Sequence, residues 1–149
     1  MQIRHREEGA VMVEFALVLV PLALLVFGIM HFGLMLNAKI DETHLTNEAA
    51  RYATVNQNPG GTSMTLQDYV LSQADTEHLR TNATLCVDYP EDPATGTSGG
   101  VGDPVRFTMS YTYNLLPLLI LDRIDVPIET HATMRLEAVP DDVPAGCST

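Results

Sequence analysis

The stretch that decides the fold is AVMVEFALVLVPLALLVFGIMHFGLML, residues 10–36. From its start up to Lys39, Glu14 is the only aspartate, glutamate, lysine or arginine. A helix of about 27 residues is roughly 40 Å long, which is enough to cross a bilayer with some tilt. The roughly 110 residues that follow are too few to bury such a rod on all sides. The stretch therefore predicts a single transmembrane helix.

The flanks of this helix indicate how it is used. A cleaved secretory signal has an apolar region of about 7–15 residues, followed by a small-residue cleavage site. Here the apolar run is longer and no A-x-A-like site follows it, which favours a retained anchor. Arg4 and Arg6 precede the helix, so the N-terminus is expected in the cytoplasm and the remaining chain outside it.

The chain beyond the helix is acidic. The formal net charge is −11, and from Ile40 onward there are 16 acidic residues and 5 basic ones. Such a surface repels nucleic acid phosphates and anionic lipid headgroups, and the sequence shows no basic patch interleaved with aromatic residues. We therefore expect no nucleic acid partner.

Glu14 needs a reason to lie in an apolar helix, because a carboxylate in hydrocarbon costs on the order of 3 kcal/mol. One interpretation places it in the wet headgroup region. The other depends on Gly9: if a peptidase cuts between Gly9 and Ala10, the new α-amino group lies one helical turn before Glu14. Glu14 then neutralises this charge, in its own chain or in a neighbour, and meets the positive end of the helix dipole.

This arrangement resembles a known family. The segment EGAVMVEFALVL at 8–19, with Pro-Leu at 21–22 and FGIMHFG at 27–33, is similar to the TadE-like minor pilins and pseudopilins of the tight-adherence, Flp-type pilus machinery. The family's small-residue stretch is matched by NEAARYA at 47–53, so the resemblance covers about residues 8–55. His31 stands where the family often has an acidic or polar residue, and one residue near Val20 looks like an insertion relative to the family's pattern. Neither departure changes the spacing from Gly9 to Glu14.

The resemblance implies a leader over residues 1–9, removed by a prepilin peptidase after Gly9, and a transmembrane helix over residues 10–36. It implies that Glu14 guides docking with the adjacent subunit's N-terminus. The implied partners are that peptidase, other minor pilins, the major Flp-type pilin, inner membrane platform proteins and membrane lipid. The implied location is the cytoplasmic membrane, with a C-terminal head outside. Membership of the filament itself is left open.

The helix is predicted to continue outside the membrane over residues 37–58, until Asn-Pro-Gly-Gly at 58–61 ends it. Apolar residues recur there at helical spacing: Leu45, Ala49, Tyr52 and Ala53. Polar residues are placed on other faces: Asp41, Glu42, Asn47 and Glu48.

Residues 59–149 are predicted to form a small α+β head. One further helix begins near residues 63–65, which offer capping hydroxyls, and ends before Arg80. Alternating patterns predict three antiparallel strands over residues 84–89, 105–113 and 126–136, packed on the long helix. Pro127 predicts that the third strand begins as an edge strand.

Two connections in the head stand out. Residues 90–104 are rich in glycine, proline and acidic residues, which predicts an exposed loop. The carboxylates in and beside this loop are Asp88, Glu91, Asp92 and Asp103. Because their spacing matches no EF-hand, they fit a solvated loop better than a calcium site. The apolar run over residues 115–121 either packs against the long helix, which we favour, or forms an exposed patch for membrane or a neighbouring subunit.

The two cysteines, Cys86 and Cys147, are too far apart for a CxxC redox or zinc motif. They are either unrelated buried thiols or a disulfide, and a location outside the cytoplasm favours the disulfide.

No catalytic motif occurs: there is no HExxH, GxSxG, P-loop or GxGxxG, and His44, His78 and His131 have no ligand or triad spacing. We therefore predict no enzyme activity, no cofactor and no metal site. The alternative is an uncleaved, signal-anchored binding domain or enzyme whose head does the work. A major pilin is disfavoured, because Flp-type major pilins have almost no head.

Overall fold

A computed structural model describes residues 4–115 and 124–148. Helix α1 spans Arg4–Thr54, α2 Leu66–Ser72 and α3 Glu77–Asn82; the strands are β1 Thr84–Asp88, β2 Pro104–Leu115, β3 Ile124–Arg135 and β4 Gly146–Cys147. The chain divides into two units, Met1–Leu36 and Asn37–Thr149. We call the second unit the head. Most of the predicted apolar run, residues 116–121, lies outside the described residues.

The α+β class is confirmed, with four strands in the antiparallel order β3-β2-β1-β4. The three long strands are those predicted from the alternating pattern, and β4 adds two residues beside β1. β3 lies at one edge of the sheet, as the proline at 127 indicated. One face of the sheet supplies the core, since alternate residues are buried along each long strand: Leu85 and Val87; Val105, Phe107, Met109 and Tyr111; Ile128, Thr130 and Ala132.

The second half of α1 covers this face with small side chains. Leu45, Ala49, Ala50 and Ala53 are almost fully buried. The helix ends at Thr54, four residues earlier than predicted, because Asn56 adopts a left-handed conformation with φ 50°. Asparagine tolerates this conformation better than most residues, so it ends helices in the way glycine does.

Where one further helix was predicted between residues 63 and 80, the described part of the head has two short ones. The Thr65 hydroxyl accepts a hydrogen bond from the Asp68 N–H and so caps α2. The Thr76 hydroxyl accepts from the Leu79 N–H and begins a new helix. Because a threonine that caps a helix has extended backbone, the helix is interrupted before Thr76.

Three carboxylates predicted to face water are buried. Glu42, placed on a polar face of the long helix, is 1% exposed and lies between α1 and β3. In the loop over residues 90–104 most side chains are exposed, as predicted, but those of Asp92 and Asp103 are buried, so these two carboxylates are not solvated. Glu42 and Asp92 have partners distant in sequence, whereas Asp103 is held by its own loop.

Candidate functional site

The processing segment predicted from sequence lies on α1. Gly9, Ala10 and Glu14 follow one another along a continuous helix, with Ala10 and Glu14 one turn apart on the same face. A methyl group added at Gly9 would meet nothing within 4 Å. Packing within the chain therefore gives no reason for glycine at this position.

The apolar part of α1 is bare, meaning that no other part of the described chain covers it. Its large apolar side chains between Val11 and Leu36 are 45–76% exposed, apart from Met35, which is half-buried. By length and composition this is the one described helix able to cross a membrane. Water is a poor environment for such a surface, because exposed apolar area of this size marks a lipid or protein contact. A single-pass membrane anchor fits it.

A buried polar link joins α1 to β3 in the head, and sequence reasoning missed it. The Thr130 hydroxyl donates to the Glu42 carboxylate at 3.0 Å. The Lys39 ammonium lies 3.6 Å from the same carboxylate and donates to the Thr130 hydroxyl and to the Glu129 carbonyl. The other carboxylate oxygen of Glu42 is buried and has no hydrogen-bond partner among the described residues.

Burial raises the pKa of the Glu42 carboxyl above its usual value, and the nearby Glu129 charge adds to this. The Thr130 hydrogen bond and the Lys39 charge act in the opposite direction, but desolvation is the larger effect. The sequence contained a signal for this burial. Glu42 lies three residues before Leu45 and seven before Ala49, and this helical spacing places it on the same buried face of α1.

The C-terminal segment crosses the head and is fixed at several points. Cys86 and Cys147 form a disulfide that ties β4 to β1. Val143 is fully buried, and the Tyr89 hydroxyl donates to its carbonyl at 2.6 Å. Burial raises the pKa of Tyr89 to about 12. The Gln67 side chain donates to two carbonyls of the same segment. We call residues 138–148 the C-terminal strap.

The loop over residues 90–104 is held by its own carboxylates. The Asp103 carboxylate accepts hydrogen bonds from the Thr97 hydroxyl and the Gly100 N–H. Asp92 accepts one from the Ala94 N–H and lies 2.7 Å from Arg135 at the end of β3. The Ala94 hydrogen bond, followed by Arg135, lowers the pKa of Asp92.

The described part of the chain contains no group of His, Cys, Asp and Glu side chains arranged to hold a metal ion. An open groove runs between α1 and the end of β3, lined by side chains of mixed charge: His44, Glu48, Arg51, Tyr52, Arg135 and Glu137. Its described side chains include no serine or cysteine beside a histidine, the arrangement that activates a nucleophile.

Residues 9–51 match the family described as TadE-like protein. Neither a curated protein nor a solved structure matches the chain. The match begins at Gly9, includes Ala10 and Glu14, and ends at Arg51 in the last turn of α1. The resemblance predicted from sequence is confirmed over residues 9–51, which are similar to the TadE-like family.

Proposed function

We propose that this chain is a TadE-like minor pilin or pseudopilin that takes part in assembling a tight-adherence, Flp-type pilus or a related secretion system. One observation carries the proposal: the TadE-like segment, residues 9–51, coincides with a helix whose apolar half is bare in the described chain. A helix with this surface can pass from lipid to a bundle of similar helices, because both surroundings bury it.

A prepilin peptidase would cut between Gly9 and Ala10. Gly9 has open space around it, so packing inside its own chain does not explain the glycine, which is compatible with a role in processing. Cleavage would leave the Ala10 amino group one helical turn before Glu14. The Glu14 carboxylate would then no longer be an isolated charge, because the Ala10 amino group would neutralise it. This could take place within one chain or between neighbouring chains during docking.

The leader would lie in the cytoplasm and the acidic head outside it, where the Cys86–Cys147 disulfide is chemically favoured. In this arrangement the bare helix would contact lipid before assembly. It would then contact other minor pilins, the major Flp-type pilin or platform proteins of the inner membrane. The head has no proposed catalytic role.

The test is the mature N-terminus. The full chain is co-expressed with its prepilin peptidase, purified from membranes and weighed by mass spectrometry. We expect a chain that begins at Ala10. A Gly9→Val variant is expected to stay uncut, whereas Gly33→Val is the matched control: Gly33 also has open space around it but lies far from the cut.

A wild-type chain that still begins at Met1 beside an active peptidase would reject processing. The alternative of an uncleaved anchor carrying a binding domain or enzyme would then take its place. Equal cleavage of the wild type and Gly9→Val would instead reject the role of Gly9.

A further inference from the structure

β3 forms one edge of the sheet, and half of its backbone groups point away from β2. In an antiparallel ladder the residues alternate: one directs its N–H and C=O groups to the neighbouring strand, and the next directs both to the other side. Leu136, directly after β3, bonds Gly102 and Asp103 on the β2 side. The odd-numbered residues of β3 therefore direct their backbone groups to the free edge.

The two ends of this edge are closed. Pro127 has no N–H group to offer, and the Glu129 carbonyl accepts a hydrogen bond from the Lys39 ammonium. Beyond the strand, the Glu137 N–H donates to the Thr54 carbonyl at 2.8 Å. Proline and lysine are residues with which proteins protect an exposed edge from pairing with other chains. In β3 this protection stops at Glu129.

Between Glu129 and Glu137 the edge is open. His131, Thr133 and Arg135 direct their backbone N–H and C=O groups to this side, and within the described chain these groups have no hydrogen-bond partner. Residues 131–135 cover about 17 Å of strand. We call them the open edge.

The open edge lies beside the groove between α1 and the end of β3. Arg135 lines this groove from the strand, and Asn47 and Arg51 line it from the helix. Three partly exposed apolar side chains also line it: Tyr52, Val55 and Met134. An exposed sheet edge can accept an extended segment as a further strand, which is bonded through its backbone while alternate side chains enter neighbouring pockets.

The surroundings of the open edge are acidic. Lys39 and Arg135 each lie against a buried carboxylate, that of Glu42 and that of Asp92. Arg51 is the other arginine in the described lining of the groove. Acidic side chains line the groove or the edge of β3 at four positions: Glu48, Asp125, Glu129 and Glu137. Because opposite charges attract, this surface favours a segment with lysine or arginine, and it repels a second, equally acidic copy of the head.

We propose that the open edge receives an extended, basic segment of another protein, which pairs with β3 as a further strand. The basic residues of the segment bond the backbone of His131 and Thr133. Their side chains then lie on the exposed face of the sheet, near Glu129 and Glu137, because residues that exchange backbone bonds across a ladder share a face. The residues between them are apolar and lie on the same face as Met134. All of these positions belong to the head, so failure of this pairing would leave the proposed pilin role untouched.

Amide hydrogen exchange of the full chain in detergent tests the pairing. The probe is a short peptide of alternating lysine and valine, blocked at both ends. At a concentration about ten times its Kd, the peptide should slow the exchange of the His131 and Thr133 N–H groups roughly tenfold. The exchange of the Ala132 N–H should not change, since this group already faces β2.

Methylated peptides are the matched controls for the backbone bonds. N-methylation of the lysine residues removes the donors that face β3 and should abolish the protection. N-methylation of the valine residues removes donors on the other side of the peptide and should leave the protection in place. A peptide with glutamate instead of lysine should give none.

Two protein variants test the charge. Glu137→Lys should weaken binding of the lysine–valine peptide roughly three- to fivefold, because like charges then lie opposite each other. Asp141→Lys, at an exposed position beyond β3, is the control and should bind as the wild type does. An intact Cys86–Cys147 disulfide, mapped by mass spectrometry, verifies that the head is folded in each variant.

Protection of His131 and Thr133 that disappears when the lysine residues are methylated would support the proposal. Unchanged exchange with the lysine–valine peptide, or equal protection by both methylated peptides, would overturn the backbone pairing. Equal protection by the glutamate peptide would overturn the basic character of the partner. Protection that appears without peptide and increases with protein concentration would assign the open edge to a second copy instead.

Discussion

The Thr130 hydroxyl donates to the Glu42 carboxylate at 3.0 Å and so joins β3 to the long helix inside the core of the head. The same hydroxyl accepts a hydrogen bond from Lys39. One threonine therefore bonds both an acid and a base of α1. Because a buried polar group is costly without its partners, the stability of the head should depend on this residue.

Thr130→Val removes this hydroxyl while keeping the shape of the side chain. We expect a loss of about 2 kcal/mol in the free energy of unfolding, since the buried Glu42 carboxylate loses its donor. Urea titration of the full chain in detergent, followed by circular dichroism of the head, measures it. Thr133→Val on the exposed face of β3 is the control and should stay within about 0.5 kcal/mol of wild type. Equal losses in the two variants would show that the hydroxyl at 130 contributes nothing specific.

Glu42→Gln should change how stability depends on pH. The pKa of Glu42 is raised above its ordinary value of 4.5, so its protonated form is favoured in the folded state. The stability that this preference contributes is complete below pH 4.5 and is lost as the pH rises through the higher pKa of the folded state. Glutamine keeps an acceptor for Thr130 but does not titrate. The loss should therefore be smaller in Glu42→Gln than in wild type, measured by thermal unfolding from pH 4 upward. An identical loss in both proteins would assign it to another group.

Asp92→Asn should have the opposite effect. The pKa of Asp92 lies below its ordinary value of 3.8, so ionised Asp92 stabilises the loop above pH 3.8, and this contribution is lost as the pH falls through the folded-state pKa. The variant should therefore lose less stability than wild type on acidification below pH 4. Amide hydrogen exchange of residues 94–103 reports the effect locally. Asp141→Asn, at an exposed position, is the control.

Removal of the disulfide should destabilise the head strongly. Cys86 and Cys147 are 61 residues apart in sequence, and closing a loop of this size stabilises a protein by up to about 4 kcal/mol in the chain-entropy model. Replacing both cysteines by serine should lower the free energy of unfolding by about 2–4 kcal/mol. Urea titration with and without dithiothreitol measures this. The reductant should destabilise wild type and leave the double variant unchanged; a wild type insensitive to the reductant would show that the bond is absent.

Elements governed by local pattern were predictable. The bare helix follows from an unbroken apolar run, and the three long strands follow from alternation such as Val105, Phe107 and Met109 against Arg106 and Thr108. The processing segment could be predicted because Gly9, Ala10 and Glu14 lie close in sequence, and it stays a prediction. The TadE-like match over residues 9–51 includes these three residues.

Features that depend on distant partners were not predictable. Glu42 was placed in water because its type is polar, yet its donor Thr130 lies 88 residues away. Asp92 was placed in a solvated loop, yet Arg135 lies 43 residues away. The break before α3 was missed for a different reason. From sequence alone, Thr76 is compatible both with the interior of one long helix and with the cap of a new one. The packing of Leu79 in the core decides between these two possibilities.

The position of β4 sets an order of events during synthesis. β1 is synthesised before β4, the strand that pairs with its free edge, because Cys147 lies 61 residues after Cys86. Until then one edge of the sheet offers unpaired backbone groups to any neighbouring chain. Pairing over such a separation is also intrinsically slow. The nascent head therefore passes through an interval in which it is open to aggregation and to chaperones, until Gly146 and Cys147 pair with β1.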